Sequence, residues 1–198
     1  MYLPVGIQAT SAERILSTAL DQFATKGYDA TSVREICEAA GITKPTLYHF
    51  FGSKDGVLQA LVQTGFQQYR ALVNSAMDTP GSFQDRVKVL ARSVFESARS
   101  KPLFWRFIHS VIWAPPGTAM PQTESCTQFY DGVVGVLASA ADRAVARGEI
   151  APGPTGARML ILMGAISEAA TGFVIAGKPE LTPELADDIV QTIFNGWQ

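Results

Sequence analysis

Ser32-Val33-Arg34-Glu35-Ile36-Cys37-Glu38-Ala39-Ala40-Gly41, followed directly by Ile42-Thr43-Lys44-Pro45-Thr46-Leu47-Tyr48-His49-Phe50-Phe51, is the stretch that decides the fold. It reads as helix, turn, helix. Ser32 and Glu35 have the spacing of a capping box, and Val33, Ile36 and Ala40 recur on one helical face. Gly41 closes that helix at a position where positive φ is often required. Cys37, four residues earlier, is small enough to let a second helix cross closely. Thr43 caps the second helix, Pro45 is tolerated in its first turn, and Ile42 and Leu47 supply its share of the core. Two helices joined by a short glycine turn form a helix-turn-helix.

The exposed positions of the second helix are Lys44, Pro45, Thr46, Tyr48 and His49. These short polar or flat groups can reach base edges or phosphates in a major groove. The Thr43 hydroxyl, beside helix N-terminal amides, suits a phosphate oxygen. Lys54 falls in the first turn of the next helix, where the dipole favours an acid, so an external anion is expected there. Residues 1–58 carry Arg14, Lys26, Arg34, Lys44 and Lys54 against Glu13, Asp21, Asp29, Glu35, Glu38 and Asp55, one net negative charge. Non-specific affinity for nucleic acid should therefore be modest, with binding resting on focused contacts and on avidity.

Outward from this stretch the periodicity is helical nearly everywhere. Thr10 and Glu13 form another capping box, and Ile15, Leu16, Ala19, Leu20 and Phe23 make the stripe of a first helix that Gly27 ends. Ser53 caps a long fourth helix that stops at Thr79-Pro80-Gly81. Helices follow at 82–100, 102–113, about 122–147, 155–177 and 182–197, punctuated by proline and glycine. The expected fold class is all-α with about nine helices. Residues 1–56 form a three-helix helix-turn-helix domain, and 57–198 a larger helical domain.

Composition closes off other classes. The chain has 198 residues, is 47% hydrophobic and has a net charge of −2, which fits a well-packed protein and argues against disorder. Uninterrupted apolar runs stop well short of the ~20 residues that span a bilayer. The most apolar stretch, 159–177, is broken by Gly164, Ser167, Glu168, Thr171 and Gly172, so no membrane partner is expected. No secretory leader is readable in 1–8. Cys37 and Cys126 are too few for a disulfide framework, and the expected location is cytoplasmic. There is no glycine-rich phosphate loop, no paired His/Cys metal spacing and no nucleophile elbow. No catalytic residue, cofactor or metal is expected.

Tyr28-x-x-Thr31-Ser32-Val33-Arg34-Glu35-Ile36, then Ala39-Ala40-Gly41-Ile42-Thr43-Lys44-Pro45-Thr46-Leu47-Tyr48, then Phe51-x-Ser53-Lys54 closely resembles the N-terminal domain of TetR-family transcriptional regulators, over about residues 10–58. The resemblance implies a homodimeric, ligand-responsive repressor. It places Arg34, Lys44, Pro45 and Thr46 toward bases, and Thr43, Tyr48, His49 and Lys54 on phosphates. Two positions depart from the family pattern. Cys37 replaces the usual alanine, and Phe50 stands where histidine or another polar group is common, which removes one phosphate contact.

The remainder of the chain carries no signature of its own. Ala165, Ala169, Gly172 and Ala176 form a small-residue seam suited to close helix approach, and Ile189 and Ile193 lie on a stripe of the final helix. With the resemblance, they point to a four-helix dimer interface through the last two helices. Phe104, Trp105, Ile108, His109, Trp113, Tyr130, Met163 and Glu168 are candidates to line an effector site for an apolar or aromatic ligand. The same aromatic stripe also reads as plain core, and Glu168 equally as an ion-pair partner. The expected partners are a palindromic double-stranded DNA operator, a small-molecule effector and a second copy of the chain. The other reading is a ligand-binding dimer of the same fold with weak or lost DNA binding.

Overall fold

Local capping chemistry sets where the helices begin. In the computed structural model, which describes residues 10–112 and 124–196 (124–130 as backbone only), the described residues form nine helices and no strand. These are α1 (Ser11–Lys26), α2 (Val33–Ala40), α3 (Lys44–Phe51), α4 (Lys54–Met77), α5 (Phe83–Ser100), α6 (Pro102–Ile112), α7 (Glu124–Ala146), α8 (Thr155–Ala176) and α9 (Pro183–Asn195). Thr10 with Glu13, Ser32 with Glu35 and Ser82 with Asp85 are complete capping boxes, satisfying amides that the first turn leaves without intrahelical partners. Thr43 and Thr182 cap α3 and α9 with their side chains.

The chain divides into two compact units, and both α4 and α6 contribute to each. The first unit runs to Gly65 and includes α6 from Phe107 onward. In it α1, α2 and α3 pack on one another through buried Ile15, Ala19, Phe23, Ile36, Cys37, Ala40 and Leu47. Val33 is only half-buried, and Cys37 takes the place in the core that its spacing had given to Val33. Phe107 is fully buried and stacks on Phe23 with ring centroids 6.3 Å apart.

The second unit holds the rest of α4 and α6 with α5, α7, α8 and α9. Helix α5 is its hub and packs against α7, α8 and α9. Phe83, Val87, Leu90, Val94 and Phe95 from α5 share a core with Leu137, Met159, Leu162, Ile166, Val190 and Phe194. At the edge of that core Arg92 forms a bidentate pair with Asp187, tying α5 to α9.

Helix α8 is apolar on most of its circumference. It has 22 residues and is long and apolar enough, by length and composition alone, to cross a bilayer. Reading by uninterrupted runs misses this, because Gly164 and Thr171 interrupt a run yet barely lower a window average. One face, Met159, Leu162, Ile166 and Ala170, is buried in the second unit. Leu160, Ile161 and Ile175 are left 55%, 58% and 74% exposed.

Several carboxylates are held ionised by these caps and pairs. Glu35 is drawn from its ordinary 4.5 down to about 2, chiefly by the Ser32 amide, then by the Ser32 hydroxyl and Lys26. Asp85 is lowered by Ser82, Glu149 by Arg147 and the Phe83 amide, and Asp187 by Arg92. A carboxyl with a depressed folded pKa contributes stability above its unfolded value, and that contribution disappears as pH falls through the folded one. Stability to urea should therefore decline as pH falls from 4.5 toward about 2. Glu35→Gln should flatten part of that decline. An unaltered pH profile in the variant contradicts this account of Glu35.

Candidate nucleic-acid interface

The turn between α2 and α3 is built by Gly41 and by a residue from α1. Gly41 adopts φ 61, ψ 42, the left-handed conformation that costs glycine no Cβ clash. Its amide donates to Glu38 and the Ile42 amide to Cys37, which satisfies the last carbonyls of α2. Arg14 completes the cap. Its guanidinium donates to the Ala40 carbonyl, with Nε 3.0 Å away, and through Nη2 to the Gly41 carbonyl at 2.7 Å. A cation at a helix C-terminus is also favoured by the dipole. Only the folded chain brings Arg14 to this turn, 26 residues away, so no local spacing reveals its role.

Helix α3 stands on Leu47, which is fully buried. Around it Lys44, Pro45, Tyr48 and His49 are exposed, and Thr46 is half-buried. The Thr43 hydroxyl accepts from the Thr46 amide at 3.4 Å and shares a hydrogen bond with the Thr46 hydroxyl at 2.9 Å. Six of the eight sequence-derived positions, Thr43 to His49, thus lie together on one short helix and its cap. Phe50 is 48% exposed, with its ring against His49 at 5.3 Å.

The other two positions are arranged differently. Arg34 lies on the exposed side of α2, where its Nε meets Glu38 at 2.9 Å. Such an exposed pair within one helix is weak and open to exchange for a stronger anion. Lys54 is half-buried and turned inward. Its Nζ donates to the Tyr28 carbonyl at 3.0 Å and the Thr31 carbonyl at 2.9 Å. The anion expected from its place in the first turn of α4 is thus supplied within the chain, as carbonyl oxygen.

Gly56 is a further residue that the spacing did not single out. A Cβ added there would fall on the Phe51 carbonyl oxygen, which is backbone and cannot swing away. The Phe51 carbonyl also accepts from the Ser53 amide at 2.8 Å, and the Ser53 hydroxyl from the Gly56 amide at 3.0 Å. The turn from α3 to α4 is closed tightly enough to require glycine.

The expected effector residues are distributed over both units. Phe104, Trp105, Met163 and Glu168 belong to the second, Ile108 and His109 to the first. Trp105 is buried, packs edge-on against Tyr69 at 6.5 Å and donates its indole N–H to Ser97 Oγ at 3.2 Å. That is the environment of a core anchor. Phe104 and Met163 lie half-buried against the same core, Ile108 and His109 are half-buried, and Glu168 is exposed on α8. Trp113 and the side chain of Tyr130 lie outside the described residues.

On α8, Ala165, Ala169 and Gly172 are half-buried and Ala176 is exposed; on α9, Ile189 and Ile193 are half-buried against the core. Gly172 has a reason of its own within the chain. A Cβ there would lie 2.7 Å from the Lys178 carbonyl oxygen, so the loop after α8 needs its bare backbone. The exposed apolar ridge is instead Leu160, Ile161 and Ile175, beside the small-residue seam.

Among the described residues the chain is all helical, with a helix-turn-helix in its N-terminal part and a larger helical unit after it. Residues 15–61 match the family model described as bacterial regulatory proteins, tetR family. The repressor KstR2 of Rhodococcus jostii is 29% identical over 127 residues, which cover 62% of this chain and 61% of that protein. The activator FasR of Mycolicibacterium smegmatis is 27% identical over 118 residues, 58% of this chain and 54% of that one. The chain therefore spans somewhat over half the length of these relatives. The fold is also that of the transcriptional regulator FadR of Bacillus subtilis, solved in complex with stearoyl-CoA. It has a TM-score of 0.79 and 18% identity, with 93% of this chain and 98% of that one covered. Residues 15–61 thus match the DNA-binding domain of the TetR family, and the chain shares its fold with solved regulators of that family.

Proposed function

We propose that the chain is a homodimeric, sequence-specific DNA-binding regulator, a repressor released from a palindromic operator by a small, largely apolar or aromatic ligand. The observation that carries this reading is α3. A fully buried Leu47 fixes the helix while Lys44, Pro45, Tyr48 and His49 stand outward from it. One helix of eight residues buries little area, so two copies on half-sites one turn or a multiple apart supply the affinity. Arg34, Lys44, Pro45 and Thr46 face bases, and Thr43, Tyr48 and His49 face phosphates. Residues 1–56 form the reader and 57–198 the effector-binding and dimerising part.

The second copy docks on α8 and α9. The seam of Ala165, Ala169, Gly172 and Ala176, the flanking Leu160, Ile161 and Ile175, and the half-buried Ile189 and Ile193 present an apolar surface on these two helices. Covering such a surface with an identical one takes apolar area out of water and so lowers the free energy.

Ligand control follows from a population shift. A ligand that favours a dimer with mismatched reader spacing lowers operator affinity by its differential affinity for the two states, ~1–3 kcal/mol for useful coupling. The segment Ser53 to Thr79, which holds helix α4, joins reader to body. So does α6, whose Phe107 is built into the reader's core. Among ligand classes a long-chain acyl thioester is the first to try, since the similarly folded Bacillus subtilis regulator holds stearoyl-CoA. Unbiased selection of DNA fragments by the purified chain tests the reading. On the best fragment the logarithm of affinity should fall linearly with the logarithm of salt concentration, as released counterions require. Binding that ignores salt contradicts it.

A further inference from the structure

Lys54 sits where the family resemblance calls for a phosphate ligand, and the geometry points to another task. We propose that Lys54, Tyr28 and Asp55 form a clasp that sets the start of α2 against the start of α4, so that Lys54 serves DNA binding as a positioning residue rather than as a phosphate contact. The DNA-binding half of this statement rests on the proposed function; the clasp itself does not.

An ammonium has three donors. Two of them are committed to carbonyls of the turn between α1 and α2, Tyr28 at 3.0 Å and Thr31 at 2.9 Å. The Nζ also lies over the Tyr28 ring, 4.1 Å from its centroid, an arrangement that stabilises a cation further where water is partly excluded. Tyr28 and Thr31 are 5% and 1% exposed, so these carbonyls belong to a closed turn. The Thr31 hydroxyl closes it from the other side, donating to the Gly27 carbonyl at 2.8 Å.

Asp55 grips the same turn by a different atom. It accepts the Tyr28 hydroxyl, and burial together with that carboxylate pushes the phenol well above its ordinary range. Consecutive residues of α4 therefore hold one tyrosine by its carbonyl, its ring face and its hydroxyl. The Tyr28 ring packs on Phe23 at 5.1 Å, so the clasp is continuous with the core of its unit. Ser32, the cap of α2, follows directly after Thr31, and Arg34 comes two residues later. Moving Lys54 Nζ out to a phosphate would strip two carbonyls and a ring contact in exchange for one ion pair at a wet surface. Hydrogen bonds to a charged group inside the fold outweigh that exchange.

The test uses the full chain and its selected DNA fragment, with Lys54→Met, Lys54→Arg and Tyr28→Phe. Amide exchange is followed over residues 28–36, where the Thr31 amide bonded to the Tyr28 carbonyl is the direct reporter. DNA affinity is measured over a salt series. Lys54→Met should accelerate exchange across 28–36 and weaken DNA binding about tenfold at every salt concentration, with the salt slope unchanged. Lys54→Arg should restore most of both, and Tyr28→Phe should loosen exchange to a smaller degree. A slope shallower by about 2 for the dimer, one phosphate per subunit, with exchange unaltered, would overturn the proposal. So would unchanged exchange at Thr31 in Lys54→Met. If Lys54→Met does not fold, Lys54→Arg and Tyr28→Phe decide it by the same readouts. If the wild type selects no DNA, the regulator reading fails, while the exchange arm still decides the clasp.

Discussion

Ile161→Glu combined with Ile175→Glu is expected to turn the proposed dimer into a monomer and to lower operator affinity by roughly 100-fold or more, the share that avidity contributes. The two side chains are 58% and 74% exposed on one flank of α8, and neither belongs to the core that α8 shares with α5. Within a protomer the change is therefore a surface substitution, which ordinarily shifts stability by less than about 0.5 kcal/mol. Across the proposed two-fold interface it places carboxylates against an apolar surface, a cost of several kcal/mol when no partner is supplied. Sedimentation equilibrium of the variant, with helix content followed in parallel, separates the two effects. A variant that stays dimeric at micromolar concentration would show that the second copy docks elsewhere.

Gly56→Ala is expected to destabilise the reader by about 3 kcal/mol and to abolish sequence-specific binding at moderate salt. The added methyl would fall on the Phe51 carbonyl oxygen, so relief requires moving backbone in the turn that sets α3 against α4. Gly135 in α7 is the control. Nothing lies within 4 Å of a Cβ built there, and alanine in an open helix interior is favoured by roughly 0.5–1 kcal/mol. Chemical unfolding of both variants should thus move in opposite directions. Equal stability of Gly56→Ala and wild type would mean that the turn is looser than its geometry.

The helices were legible because their boundaries are written in local chemistry. Thr10 with Glu13, Ser32 with Glu35 and Gly41 each act within four residues, so spacing alone reveals them. The outward set of α3 was legible for the same reason, since Leu47 is the inward member of a single turn. What spacing leaves hidden comes from contacts distant in sequence. Arg14 reaches the end of α2 and Lys54 the carbonyls before it, across 26 and 23 residues or more, and a carbonyl oxygen carries no mark in a sequence. Trp105 illustrates the converse case. Its aromatic mass reads as ligand wall or as core, and spacing does not choose; the buried ring with its indole N–H on Ser97 is the environment of a core anchor. On α8 the periodic signal fails because the helix is apolar nearly all round, so the buried and outward faces differ little in composition.

The central claim is that α3 reads DNA, and enrichment from a random DNA pool tests it most directly. The purified wild type is expected to enrich a palindrome whose half-sites lie one helical turn, or a multiple, apart. On that palindrome Lys44→Ala should relax base preference within each half-site, whereas Tyr48→Ala should weaken all sequences alike. A folded dimer that enriches no sequence even at low salt would contradict the account and leave the ligand-binding dimer as the function of this fold.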